Sequence, residues 1–395
     1  MNHLLVVLSF FISLFLAMLI IPRILVIAAK HSLYDMPDKR KTHTGAIPRI
    51  GGVSFFPCIL FSMMFVIGVF YMFAAGTDMH NYYPNNSELC LFFCGLLFLY
   101  LGGVKDDLVR LRYFNKFLIQ IISSSIIVFS GLYLNNLYGF LGIYYLSPFI
   151  GIPLTILALV FIINAMNLID GMDGLASGIS IFALCVYGTL FLLHGMWYYS
   201  VLAFSTIGVL IPFFYYNMFG NVKKGCKLFM GDSGSLTLGL ILGFLAVRYA
   251  HYNPDVIKPI GNMLVIAMSP ILIPMLDVMR VILSRLKRRK HIFVGDRCHI
   301  HHKLMDMGIG KLTALVMILC ISSGLCILNF VLIELMNITF IFVIDISLWV
   351  LINMYFTHII KKRGSQHKAA KIKQEIHQQQ IEKISVGKSK ELATV

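Results

Sequence analysis

Long apolar runs separated by short polar connectors make up most of this chain. The runs lie near residues 4–29, 50–74, 88–105, 116–134, 147–165, 172–194, 199–217, 233–250, 259–282, 312–333 and 338–358. Each approaches the roughly 20 residues that a helix needs to cross the hydrocarbon of a bilayer. The pattern predicts an all-α integral membrane protein with about eleven transmembrane helices. Residues 2–21 lack a basic n-region and a small-residue cleavage site, so the first run reads as a retained helix rather than a signal peptide. Residues 1–358 form one polytopic unit. Residues 359–395 form a basic tail, expected to be disordered or to lie as a helix on the membrane surface.

Composition agrees with the pattern. Hydrophobic residues are 58% of the 395 and charged residues 13%, with a mean hydropathy of +0.82. That leaves too little polar surface for a soluble globular protein. The formal net charge of +15 is not spread evenly. Loops 30–49, 105–116, 217–232 and 283–311 and the tail hold nearly every Lys and Arg, whereas 75–87 and 135–146 hold none. The positive-inside rule then places the N-terminus outside and the C-terminus in the cytoplasm, with Arg248 and Lys258 as exceptions. The surplus charge suits anionic lipid, and no folded basic domain for nucleic acid is visible. The 8 cysteines contain no CxxC pair and read as core packing, with neither disulfides nor zinc implied.

Acidic residues gather where the predicted spans meet the cytoplasm: Asp106 and Asp107 in GVKDDL, Asp170 and Asp173 in NAMNLIDGMDGLASG, and Asp232 in FMGDSGSLTLG. A single Asp at a span end is ordinarily a helix cap. Two pairs exceed that need, because neighbouring carboxylates repel. Lys105, Arg110, Arg112 and Lys116 can offset the first pair, whereas the second has no basic neighbour in sequence. Carboxylates with an Asn carbonyl such as that of Asn167 suit Mg²⁺, which normally shares its shell with phosphate oxygens, and Asn164 one turn earlier is expected to bind substrate. The loop KRKTHTGAIPRIGG adds Lys41, Arg49 and glycines able to approach an anion. A second loop, GDRCHIHHKL, adds Arg297, His299, His301 and His302. Asp277 lies nearer mid-span, where Arg280 three residues on offers an intrahelical ion pair.

Taken in order, KRKTHTGAIPRIGG, GVKDDL, NAMNLIDGMDGLASG, FMGDSGSLTLG and GDRCHIHHKLMDMG resemble the polyprenyl-phosphate N-acetylhexosamine-1-phosphate transferases over roughly residues 34–308. The resemblance implies a fold of ten or eleven spans with a cytoplasmic site in the inner membrane. It implies transfer of a sugar 1-phosphate from a UDP-sugar to undecaprenyl phosphate, with release of UMP and a requirement for Mg²⁺ (Mn²⁺ as substitute). It makes Asp232 a metal ligand with Asn167 beside it. Asp106 or Asp107 would act on the lipid phosphate, as base or organiser, or help hold the metal. Asp170 and Asp173 would line the nucleotide pocket, with Phe229 stacked on uracil and Lys116 on phosphate. Arg297, His299, His301 and His302 would contact sugar and diphosphate. Arg110 stands where some relatives carry a third Asp, and the segment from Asn217 to Asp232 is longer than is usual and lacks a proline.

The DRCHIHHKL and RKTHTGAIPRIGG forms favour UDP-N-acetylglucosamine as donor. UDP-N-acetylmuramoyl-pentapeptide or another UDP-hexosamine is the alternative, and a homodimer is compatible with the chain. The rival from another class is an ion-coupled transporter. Its site would lie near the midplane on broken helices, with Asp277 as the carrier-like residue.

Overall fold

The computed structural model describes residues 2–31, 33–35, 46–74, 86–253, 262–289 and 299–362. Lys41, Arg297, Cys298 and Lys258 lie outside them, as does the tail beyond Lys362. The helices are α1 (Asn2–Lys30), α2 (Phe55–Ala74), α3 (Asn86–Val109), α4 (Tyr113–Val128), α5 (Pro148–Ile169), α6 (Leu175–Leu193) and α7 (Trp197–Phe219). They continue as α8 (Gly231–Ala250), α9 (Met263–Met268), α10 (Leu272–Lys287), α11 (Ile300–Asp306), α12 (Lys311–Leu332) and α13 (Ile338–Lys362).

Among the described residues, 10 helical stretches are long and apolar enough to cross a membrane, with α9 and α10 joined into one by a 3₁₀ turn at Ser269–Ile271. The remaining predicted span, 116–134, is shorter than expected. It becomes α4, a helix of 16 residues, and the chain then turns at Gly131 (φ +90°). Two antiparallel ribbons break the purely helical expectation. β1 (Tyr34–Asp35) pairs with β2 (Ile47–Pro48), and β3 (Asn136–Phe140) pairs with β4 (Ile143–Tyr145). The last helix also runs past the expected boundary at 358. Of the seven described cysteines, all free, only Cys58 and Cys326 are buried; the other five lie on the outer surface.

All 20 residues of α8 are buried, so this helix is the axis of the bundle. Lipid cannot drive helices together by hydrophobicity, so small residues that permit close backbone approach take over that role. Gly231, Ser235, Gly239 and Gly243 recur every fourth residue along α8. A Cβ at Gly239 would lie 2.6 Å from Ile163 Cα in α5. A Cβ at Gly52, in the 3₁₀ turn Gly51–Ser54 before α2, would lie 2.1 Å from Gly234 N.

The end of the bundle away from the aspartates is closed by a buried ion pair. Arg248 Nε in α8 lies 3.1 Å from Glu88 Oε1 in α3, and Tyr199 Oη in α7 donates to the same oxygen at 3.0 Å. Arg248, an exception to the charge distribution, therefore joins three helices. Replacing Gly52 by Ala sets a methyl against backbone rather than a movable side chain. The expected outcome is a loss of about 1–3 kcal/mol of stability, read as a lower melting temperature in detergent.

Candidate active site

The site is assembled around the first turn of α8. Residues 48–52 run beside 229–230 as a short backbone zipper. Phe229 N–H donates to Pro48 O (2.8 Å), Gly51 N–H to Phe229 O (3.0 Å) and Gly52 N–H to Met230 O (2.8 Å). This lays Arg49 over the helix start. Gly231 adopts φ +75°, and a Cβ there would meet Arg49 O at 2.2 Å and the Asp107 carboxylate at 2.7 Å. Only glycine fits that turn.

Asp232 is 5% exposed, and both of its carboxylate oxygens accept hydrogen bonds. Oδ1 accepts from Lys116 Nζ (3.0 Å) and Asn167 Nδ2 (2.6 Å), and Oδ2 accepts from Arg49 Nη2 (2.7 Å). A buried carboxylate persists only when paired and hydrogen-bonded, and here the donors come from the loop before α2, from α4 and from α5.

Asp106 and Asp107 are adjacent in sequence but perform different tasks. Asp107 Oδ1 accepts from Asp232 N–H (2.7 Å) and Oδ2 from Ser233 N–H (2.9 Å). It caps α8 from the neighbouring helix α3 and places its charge at the positive end of the α8 dipole. Asp106 Oδ2 pairs with Lys116 Nζ at 2.5 Å, and its Oδ1 accepts from Leu111 N–H at 2.6 Å. That second bond requires the sharp turn at Arg110, which takes φ +53°. Lys116 thus bridges Asp106 and Asp232.

The segment 164–178 divides in the same way. Asn167 donates Nδ2 to Asp232 and to Ser235 Oγ (2.8 Å). Asn164, one turn earlier, is held by Gln120 of α4, donating Nδ2 to Oε1 at 2.5 Å. Asp170 ends α5 and, among the described residues, makes no hydrogen bond or ion pair. Loss of hydration pushes its carboxyl well above the usual carboxylate range; Arg49 offsets this, while Asp232, Asp173 and Asp107 add to it. Asp173 lies in the non-helical turn that follows, with Oδ2 bound by Lys227 (2.9 Å) and Lys311 (3.0 Å). Asn217 ties this turn to the α8 approach, accepting from Gly174 N–H (2.6 Å) and donating to Leu228 O (2.8 Å).

The histidines reach the Asp170 turn from α11. The rings of His299 and His301 are parallel within 6° at 5.9 Å, and those of His301 and His302 lie 4.2 Å apart. His301 is 1% exposed with neither ring nitrogen hydrogen-bonded, and its Nε2 abuts Gly171. Burial, followed by His302 and His299, pushes its pKa down to about 3, so the ring is neutral at pH 7.

Comparison with known proteins bears on the same residues. A family model described as glycosyl transferase family 4 matches residues 89–250, which include the five aspartates 106, 107, 170, 173 and 232. An undecaprenyl-phosphate alpha-N-acetylglucosaminyl 1-phosphate transferase of Yersinia pestis is 31% identical over 297 residues, 74% of each chain. Its Escherichia coli (strain K12) counterpart is 30% identical over 297 residues, again 74% of each chain. A probable undecaprenyl-phosphate N-acetylglucosaminyl 1-phosphate transferase of Bacillus subtilis (strain 168) is 29% identical over 322 residues, 80% of this chain and 82% of its own. The chain belongs to the polyprenyl-phosphate N-acetylhexosamine-1-phosphate transferase family.

Within this transferase, the structure brings Arg49, Asp106, Asp107, Lys116, Asn167 and Asp232 together, with Asp170 within electrostatic reach. Phe229 is half-buried, its backbone taken up by the zipper. Several expectations are corrected. Asn164 joins α4 to α5 rather than facing substrate, because its amide pairs with Gln120. Asp170 and Asp173 are separated by the end of α5, with Asp170 at its C-cap. Asp173 needs no divalent cation, since two lysines distant in sequence neutralise it. Asn167 turns its amide nitrogen to Asp232, the residue it is expected to assist. Asp277 makes the intrahelical pair with Arg280 at 2.8 Å, but it also binds His299, which removes the carrier-like reading. Sequence reasoning missed Gln120, Ser235 and Lys311, whose partners lie at least 44 residues away. Asp107→Ala leaves two α8 N–H groups without acceptors and should cost about 1–2 kcal/mol; Asp107→Asn, keeping one acceptor, should melt between wild type and Ala in detergent.

Proposed function

We propose that this membrane protein transfers N-acetylglucosamine 1-phosphate from UDP-N-acetylglucosamine to undecaprenyl phosphate and releases UMP. The observation that carries the reading is Asp232, a buried carboxylate joined to Arg49, Lys116 and Asn167 at the capped start of α8. This places two long basic side chains, already aligned by acidic partners, where two anionic substrates must meet. The distribution of Lys and Arg among the loops supports a cytoplasmic position in the inner membrane for this end of the bundle.

A divalent cation fits the residues present. Among the described residues no three acidic, His or Cys side chains form a ready cage. That suits Mg²⁺, which takes one or two carboxylates and completes its shell with water and phosphate oxygens. Asp232 and Asp170, which is unpaired among the described residues, would hold it. Bound there, Mg²⁺ (or Mn²⁺) would neutralise charge on the diphosphate.

The protein's own groups account for the remainder. An oxygen of the lipid phosphate attacks the phosphorus nearer the sugar, a new P–O bond forms, and the bond to UMP breaks with its electron pair on the departing phosphate. Repulsion between the two anions is the chief barrier. Lys116 and Arg49, held in place by Asp106, Asp107 and Asp232, lower it as preorganised cations. An ionised phosphate needs little help from a base, so Asp106 serves chiefly to aim Lys116.

The decisive experiment incubates purified protein with undecaprenyl phosphate and a panel of UDP-sugars, with and without EDTA. UMP release should require both the lipid and free divalent cation, and should be fastest with UDP-N-acetylglucosamine. Asp232→Ala in folded protein should lower turnover by more than about tenfold, or 1.4 kcal/mol; a smaller loss removes Asp232 from the metal role. Asp170 yields a pH prediction. Its raised pKa means that cation binding must displace a proton, so Mg²⁺ affinity should strengthen as pH rises and Asp170 ionises. Asp170→Asn should flatten that rise of Mg²⁺ affinity with pH.

A further inference from the structure

Asp277 lies inside the membrane-spanning stretch Met263–Lys287 and is 1% exposed. An intramembrane carboxylate is costly unless it is partnered, and its partners show what it does. Arg280 Nη2, in the same helix, lies 2.8 Å from Oδ1 and suffices to balance the charge. Two further donors come from the start of α11. His299 Nδ1 is 2.8 Å from Oδ2, and Ile300 N–H reaches the carboxylate at 3.2 and 3.4 Å. Asp277 therefore anchors the histidine segment to a transmembrane helix.

The contacts continue toward the carboxylates. His299 stacks in parallel on His301, and His301 packs on His302. The Nε2 of His301 would lie 2.7 Å from a Cβ at Gly171, the residue after Asp170. Among the described residues neither nitrogen of the buried His301 ring has a partner, and buried polar groups are ordinarily satisfied. The ring is held at the edge of the site, against the Asp170 turn.

We propose that Asp277 is a positioning residue that fixes His299 as the Nδ1–H tautomer and thereby holds His301 and His302 against the Asp170 turn. The proposal rests on the transferase reading for the identity of the ligand, the sugar diphosphate, but not for the geometry. A carboxylate that accepts from the far nitrogen of an imidazole sets both its tautomer and its ring plane. A misplacement of about 1 Å in such a group is enough to lower a rate by two orders of magnitude.

A mutant cycle on kcat tests the pathway of action. Asp277→Ala and His299→Ala should each lower kcat by about tenfold or more, with KM for the UDP-sugar changed far less. The double variant should be no slower than His299→Ala alone, because Asp277 acts through that ring. Asp277→Asn, which retains an acceptor, should recover most of the loss, and it carries the cycle if Asp277→Ala does not fold. Losses that multiply in the double variant overturn the proposal. Spectra of ¹⁵N-histidine-labelled protein provide a readout without turnover. A hydrogen-bonded Nδ1–H on His299 is expected, and its absence also overturns the assignment. If that proton is present but UMP release does not depend on lipid phosphate, the transferase reading fails and the assignment of Asp277 stands.

Discussion

A carboxylate at the start of a wholly buried helix has to be neutralised by whatever surrounds it, and at Asp232 this requirement organises one end of the bundle. The donors Arg49, Lys116 and Asn167 come from three separate elements, and Asp107 caps the same turn from a fourth. Each neighbour of α8 is thereby fixed in rotation and depth by an electrostatic contact as well as by packing. The close backbone approach that allows this depends on glycines at 52, 231 and 239, where a single Cβ would push the elements apart.

The two ends of α8 apply one principle to different purposes. At the far end Glu88, Arg248 and Tyr199 satisfy one another in a closed, buried group. At the near end acidic groups outnumber basic ones, the basic groups are long and half-buried, and Asp170 has no partner among the described residues. A closed group is a staple. An acid-rich group whose cations can turn toward an incoming phosphate suits a reaction site, and the neutral His301, its ring nitrogens without partners among the described residues, borders it.

The difference between Asp106 and Asp107 shows where local reading stops. Sequence makes them an equivalent, mutually repelling pair. In the fold, a positive φ at Arg110 turns one toward its own chain and Lys116, while the other meets the N–H groups of Asp232 and Ser233, over 120 residues on. Asp173 illustrates the same limit. Its apparent lack of basic neighbours held only along the chain, since Lys227 and Lys311 lie 54 and 138 residues away.

The sequence by itself determined that the chain spans a membrane many times, that its charge lies on one side, and that aspartates, glycines and histidines gather there in the order of one transferase family. These properties are set by composition, run length and motif, all of which are local. The fold alone decided which aspartate binds lysine, which caps a helix and which stands open, that Asn164 is a structural contact, and that a mid-span Asp277 governs the histidines. Hydrogen bonds act over about 3 Å, and only the packing of α3, α4, α5 and α8 around one another brings such distant residues within that range.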